Sequence, residues 1–291
     1  MSIYSKKNLY KIQMISAADS KDPIQLEALV VPQLETLLAN SSARSRYKLF
    51  PGNLAHAINK FGVQEAQRQI ETFCENLKGT HTPIFICQHI LGEQLSFSNG
   101  RVYSPHASIT NRFHLIPHFN ALTSDFADYI PLKSRRWLGT FIGDTKTNPI
   151  RPKIVTLLSS DARWLIRDTG SWHFSKSQER QAVNQTIYTA SLSASICAFC
   201  PPGTGAGSLR LWESMSYGCI PVIFGETLIP SEMEDLVIRI ERLESIASIE
   251  SAVSLPIHEL SRRSAFVYNT YWSNFANHKI PNLIIRDLER N

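Results

Sequence analysis

Cys200-Pro-Pro-Gly-Thr-Gly-Ala-Gly-Ser-Leu-Arg-Leu-Trp-Glu-Ser-Met-Ser-Tyr-Gly-Cys-Ile-Pro-Val-Ile223 is the stretch that decides the architecture. The apolar run Ile196 to Phe199 ahead of it has the length of a strand. Pro201 to Gly207 is a glycine-rich turn, and Ser208 to Tyr217 has the length and the cap of a short helix. Gly218 ends that helix, and Cys219 to Phe224 is a second apolar run. Strand, loop, helix and strand in this order form the repeating unit of a parallel α/β sheet. Gly203, Gly205 and Gly207 let the backbone approach a ligand closely, and the next helix aims its unpaired N–H groups and positive dipole end at the loop. A diphosphate suits that position. Ser208 stands as the N-cap, while Arg210 and Glu213, three residues apart, project from one face of the first turns. They offer a cation for phosphate and a carboxylate for two ribose hydroxyls.

Either feature alone has a plainer explanation: Arg210 and Glu213 also suit a surface ion pair, and a glycine-rich turn can simply be tight. Their coincidence behind an apolar strand points to a nucleotide. Which nucleotide is left open. The dinucleotide pattern G-x-G-x-x-G is half met, because Ser208 takes the place of the third glycine while Glu226 stands near the end of the following strand, where a ribose-binding acid belongs. An NAD(P)-dependent oxidoreductase using this loop is therefore one alternative. A P-loop is disfavoured, since no Gly-Lys-Ser/Thr follows the turn.

Outward from this unit the same alternation continues. Towards the N-terminus the chain offers a helix at Gln178 to Ser193, another at Pro149 to Ser159, and the strand Trp137 to Ile142 closed by Gly143. In the first half, Tyr10 to Ile15, Pro83 to Ile90, Arg101 to Tyr103 and Phe113 to Ile116 read as strands. Residues 23 to 39 read as a helix kinked or split at Pro32, and Val63 to Leu77 as a clearer helix ended by Lys78-Gly79. An acidic segment from Ser231 to Glu250 and a final helix around Leu260 to Phe275 complete the chain. Pro131 marks the expected boundary between an N-terminal domain, 1–130, and a C-terminal domain, 131–291. Trp137, Trp164, Trp172 and Trp212 could stack on rings, but apolar neighbours favour the core for Trp137 and Trp212. Tyr268, Tyr271 and Trp272 are expected to dock the last helix.

With 291 residues, 43% hydrophobic and 19% charged, the chain is too apolar for disorder and long enough for about two domains. The net charge of +5 falls short of a nucleic-acid footprint. The basic excess lies in residues 1 to 135, with 14 basic against 10 acidic groups. That bias suits an anionic acceptor or membrane surface, although four charges spread over so many residues are more often an ordinary solvated face. Lys6, Lys7 and Lys11 precede no apolar stretch, so no signal peptide or membrane anchor is expected. Five cysteines, Cys74, Cys87, Cys197, Cys200 and Cys219, sit mostly in apolar runs and suit reduced thiols in a cytoplasm. Cys197 and Cys200 have the spacing of half a zinc site, but no second pair follows, and no metal is expected.

The stretch from Cys200 onward resembles the exostosin family of glycosyltransferases, with its Cys-Pro-x-Gly turn, Ser-x-Arg-x-x-Glu helix and Gly-Cys-Ile-Pro-Val strand in order. Two further blocks are similar: Lys133 to Asp144 followed by Asn148-Pro-Ile-Arg151, and Leu228-Ile-Pro230. The resemblance covers about residues 130 to 230. It implies a GT-B architecture, two Rossmann-like domains facing a cleft, with a nucleotide-sugar donor held mainly by the C-terminal domain. Ser208, Arg210 and Glu213 would take the donor's phosphate and ribose, with Gly205 and Gly207 in the loop; Arg136, Gly143 and Arg151 would lie around the diphosphate. Pro202 departs from the basic residue that many members carry after Cys-Pro, removing a charge and a backbone N–H.

The resemblance further implies inverting, metal-independent transfer from a UDP-sugar to a glycan or lipid-linked glycan. No cofactor or nucleic acid is implied. A soluble bacterial-type member, in polysaccharide or lipopolysaccharide synthesis, would work in the cytoplasm, with peripheral association at the inner membrane face. A base on the acceptor side is needed, and the N-terminal half offers His89, Glu93, His118, Asp125 and Asp128 at strand ends and loops. His118, Glu93 and Asp125 are the expected choices. A nucleotide-sugar-binding module without catalysis is the remaining alternative.

Overall fold

The computed structural model describes residues 26–110, 113–120, 122, 127–170 and 178–290, with the backbone alone at 178–181. The strand expected at Tyr10 to Ile15, Trp172 and Asp125 lie outside the described residues. The chain divides into two compact units, one running through Ser104 and resuming at Pro281, the other comprising Pro105–Ile280. The boundary expected near Pro131 thus falls inside the second unit.

In the first unit, helix α1 (Leu26–Ala39) runs unbroken through Pro32. Strand β1 (Tyr47–Leu49) leads into α2 (Leu54–Phe61), whose N-cap Asn53 accepts from the His56 N–H at 2.8 Å. Helix α3 (Val63–Leu77) ends on Lys78 in the left-handed region, φ 49°. Strands β2 (Thr82–Ile86) and β3 (Arg101–Ser104) follow, and β1, β2 and β3 lie side by side and parallel. Ile84, Phe85 and Ile86 are all buried, because a parallel sheet covers both faces of a central strand. The last helix of the chain, Ile280–Arg290, buries Ile284 and Leu288. Asp287 on it accepts from Arg101 Nη1 at 2.9 Å and Tyr103 Oη at 2.6 Å, and the Leu288 carbonyl accepts from Arg46 Nη2.

The second unit contains the two-residue strand β4 (His114–Leu115), followed by β5 (Trp137–Gly143), α4 (Ile150–Leu158) and β6 (Trp164–Asp168). Helix α5 (Gln178–Ser193) leads to β7 (Ser195–Phe199), α6 (Leu209–Ser216), β8 (Ile220–Phe224) and β9 (Ile238–Ile240). All neighbouring pairs in the sheet are parallel, in the order β6-β5-β7-β8-β9. Phe141, Phe199, Val222 and Ile154 form part of its core. Helices α7 (Ile246–Val253) and α8 (Ile257–Thr270) follow, the latter running into a π turn over Tyr271–Phe275.

The expected aromatics dock within this unit. Tyr268 Oη donates to the Ala127 carbonyl at 2.7 Å, and Trp272 Nε1 to the Ser216 carbonyl at 3.1 Å. Asn120 Nδ2 reaches Ser216 Oγ and Tyr271 Oη, both at 3.2 Å. These bonds tie Asn120 and Ala127 to the rest of the second unit. Among the described residues no helix is long and apolar enough to cross a membrane.

Candidate functional site

The strand order of the second sheet locates the site before any side chain is considered. From β5 the chain crosses to β6 on one side and then to β7 on the other, so the C-terminal ends of β5 and β7 flank the point where winding reverses. Ligands of open α/β sheets bind at such points. Gly143 closes β5 there, and the glycine-rich loop leaves β7 there.

Arg210 and Arg151 both converge on the end of β5. Arg210, on the first turn of α6, is buried and donates through Nη2 to the Ile142 carbonyl at 2.6 Å. Its guanidinium lies 4.8 Å from the Phe141 ring centroid and 5.8 Å from that of Tyr188, and its Nε has no hydrogen-bond partner. Arg151, on the first turn of α4, donates through Nη1 to the Asp144 carbonyl at 3.0 Å and through Nε to the Pro202 carbonyl at 2.9 Å. The two guanidiniums therefore take carbonyls on either side of Gly143. A Cβ at Gly143 would collide with Arg210 Nη2, so glycine is needed for this close approach. Neither arginine forms an ion pair among the described residues. Burial and the nearby Arg210 bring Arg151 down to about 10, still cationic at neutral pH.

Glu213 does not pair with Arg210, which removes the surface ion pair as an explanation. Its Oε2 accepts from Tyr188 Oη at 2.6 Å. Burial raises its carboxyl above the usual range, against the opposing pull of Tyr188 and Arg210. Ser208 is the N-cap of α6, and its side chain makes no capping hydrogen bond; the Leu211 N–H bonds the Ser208 carbonyl at 3.1 Å, which leaves the Leu209 and Arg210 N–H groups without a capping partner in Ser208.

His118 also meets this loop. A Cβ at Gly207 would lie 2.8 Å from His118 Nε2 and would collide with the Pro105 carbonyl oxygen, so glycine is again required. The His118 ring is buried, its Nε2 has no hydrogen-bond partner, and His106 stacks edge-on at 4.7 Å. Burial and His106 hold it well below the usual histidine range, hence neutral.

The fold therefore brings together Gly143, Arg151, Gly207, Ser208, Arg210, Glu213 and His118, with Gly205 in the same loop. Others of the expected residues lie apart. Arg136 precedes β5 at its opposite end, about 20 Å of strand from Gly143. Its guanidinium lies 5.1 Å from the Trp137 ring centroid. Glu93 is exposed on the 3-10 turn Ile90–Gln94 in the first unit. His89 is engaged at both nitrogens, accepting from the Leu91 N–H and bonded to Asn59 Oδ1, each at 3.0 Å. Asp128 is exposed. Trp212 and Trp164 are core residues, the first packed edge-on against Phe275 and the second tilted against Phe199. Burial pushes the Cys197 and Cys200 thiols up to about 12, and among the described residues no group of three or more His, Cys, Asp or Glu is arranged to hold a metal ion.

Two features escaped the sequence reading. Tyr188, between Arg210 and Glu213, carried no signal beyond being one aromatic on a polar helix. Glu27, an acid on the first turn of α1, was not singled out. It is sealed in the first unit, accepting through Oε1 from the Gln88 N–H at 3.0 Å and the Ala55 N–H at 3.3 Å, while Oε2 has no hydrogen-bond partner. Burial raises its carboxyl to about 7.

The model of the exostosin GT47 domain matches residues 81–244, more than half of the 291-residue chain. The chain belongs to the exostosin glycosyltransferase family. The site of this exostosin-family chain lies wholly within the matched span, from Gly143 to Glu213, and so does His118. Solved structures similar to the exostosin-family chain include an α-glucosyltransferase in complex with UDP-glucose and DNA containing an abasic site, at 8% identity, covering 89% of this chain and 84% of that one, TM-score 0.46. Another is AviGT4, a glycosyltransferase involved in avilamycin A biosynthesis, at 11% identity, covering 90% and 89%, TM-score 0.38. No curated protein sequence matches the chain. The dinucleotide alternative loses ground on topology: its fingerprint belongs after the first strand of the doubly wound sheet, which here is β5 with the turn Gly143-Asp-Thr-Lys-Thr-Asn, whereas the glycine loop follows the third strand in chain order, β7.

Proposed function

We propose that the chain is an active glycosyltransferase that binds a nucleoside-diphosphate sugar, with UDP as the first candidate, at the switch point of the second unit and transfers the sugar to a glycan acceptor. The observation that carries this reading is the pair Arg151 and Arg210: two buried guanidiniums whose hydrogen bonds among the described residues go only to carbonyls, with Arg210 Nε left unbonded, beside the N-terminus of α6. A guanidinium cannot shed its charge, so a site of this kind calls for an anion. In transfer, negative charge grows on the leaving diphosphate, and preorganised cations and a helix dipole stabilise it more in the transition state than in the ground state. Here the arginines supply the charge that a divalent cation supplies elsewhere, which supports metal-independent transfer without a further cofactor. Glu213 suits the ribose hydroxyls.

Displacement at the anomeric carbon with inversion also needs the acceptor's proton removed. Of the side chains expected for this that lie among the described residues, His118 is the one brought against the donor loop, and its neutral ring is able to accept. A polysaccharide or lipopolysaccharide acceptor at the inner face of a bacterial membrane agrees with the basic excess of the first 135 residues. A calorimetric panel of UDP, GDP, CMP, NAD and NADP, with and without magnesium, tests the reading. Binding of UDP without metal is expected; NAD or NADP binding in its place would overturn it. His118→Asn that abolishes transfer while keeping UDP affinity would assign it the proton, whereas weaker UDP binding would make it a donor contact.

A further inference from the structure

Arg210 and Glu213 sit three residues apart on α6 and do not touch; what joins them is Tyr188, from the middle of α5. Its ring stands 5.8 Å from the Arg210 guanidinium, with Phe141 at 4.8 Å from that same guanidinium, and its hydroxyl donates to Glu213 Oε2 at 2.6 Å. Glu213 is half-buried, and Oε2 is its only carboxylate oxygen with a hydrogen bond among the described residues. Oε1 is thus left for a ligand, at an angle that the Tyr188 bond sets. A carboxylate on a flexible Glu side chain has three rotatable bonds, and one short, charge-assisted hydrogen bond removes much of that freedom before any ligand arrives.

We infer that Tyr188 is a positioning residue that fixes Glu213 so that its free oxygen meets the ribose hydroxyls of the donor nucleotide, making the recognition of a ribonucleotide depend on a side chain that contacts neither phosphate nor sugar. This rests on the nucleotide reading of the site and goes further by assigning ribose selectivity to α5. Two levels of contact follow. The diphosphate is held by Arg151, Arg210 and the α6 N-terminus, none of which needs the Tyr188 hydroxyl. The ribose is held by Glu213, which does.

Tyr188→Phe keeps the ring beside Arg210 and removes only the hydroxyl. Calorimetry on the full chain would use UDP or GDP, whichever the wild type binds more tightly, its 2′-deoxy counterpart, and pyrophosphate. The wild type is expected to prefer the ribonucleotide over the deoxynucleotide by about tenfold, the scale of one hydrogen bond to a charged group. In Tyr188→Phe that preference should fall to about twofold or less, with pyrophosphate affinity and melting temperature unchanged. A variant that keeps the full ribose preference overturns the proposal, as does one that loses pyrophosphate and ribonucleotide affinity alike. Should the variant fold poorly, Glu213→Gln must erase the same preference while leaving pyrophosphate binding intact, and retention of the preference there overturns the proposal too. A wild type that binds none of the three overturns the nucleotide reading itself, a distinct result.

Discussion

At the C-terminal edge of the first sheet, Glu27 is sealed between the segments that follow β1 and β2, with one oxygen unbonded and no ion pair. At the corresponding edge of the second sheet, Arg151 and Arg210 are buried on carbonyl oxygens, again without an ion pair. Both arrangements bury an ionisable group without its usual partner, which is costly in a packed interior. They differ in their escape. A carboxyl can take a proton and become neutral, as Glu27 does in part at neutral pH, but a guanidinium keeps its charge and is relieved only by an anion. The first unit thus has its own means of neutralising the buried group and responds to pH, while on the proposed reading the second is completed by an anionic ligand.

The largest expected effect is on stability against pH. With the Glu27 carboxyl raised from 4.5 to about 7, its contribution is fully present below pH 4.5 and lost as pH rises through 7, about 3 kcal/mol in all. Chemical denaturation of wild type and Glu27→Gln from pH 4 to 8.5 should show that loss in the wild type only; parallel curves would remove Glu27 from the comparison. His118 has the opposite sign. Held below 6.5 by burial, it stabilises the second unit above that pH, and the contribution is lost as pH falls. His118→Asn should flatten the acid side of the second unit's unfolding and leave the first unit unchanged.

Next in size, Arg210→Met should lower nucleoside-diphosphate affinity by about 30-fold, since an apolar side chain of similar length fills the space between Phe141 and Tyr188 without the charge-assisted bond. Its melting temperature should stay close to wild type, and a large fall would make Arg210 a structural residue instead. Smallest is Asp287→Ala. Loss of the partly buried bonds from Arg101 and Tyr103 should cost the first unit about 1 kcal/mol, read by scanning calorimetry, with nucleotide affinity unchanged. A shift in affinity would show that the two units do not respond independently.

Local order was the legible part. The helix expected at Val63 to Leu77 and that at Gln178 to Ser193 appear with those bounds, because both are long runs free of glycine and proline and the first is also amphipathic. The strand–loop–helix–strand unit around residue 200 was equally plain, and it carries most of the site. Short elements escaped: β1 and β9 have three residues each, too few for any period to show. Helix α2 was missed although Asn53 marks its start, and the last helix although Pro281 stands at its first turn. The partners of distant residues could not be read. Asn120 bonds Tyr271 across 151 positions, which is why a boundary at Pro131 looked natural and is absent. Burial of Glu27 and the link from Tyr188 to Glu213 are likewise products of packing between elements.

The return of the last helix to the first unit also has a meaning in time. Emerging from a ribosome in chain order, β1, β2 and β3 are made early, but Arg46 finds the Leu288 carbonyl 242 positions later, and Tyr103 finds Asp287 184 positions later. The second unit, lying between, has all its residues in hand before the first does. Nascent chains halted just before Pro281 should therefore hold a finished inner unit and an unfinished outer one, so that the part synthesised first is the last to be sealed.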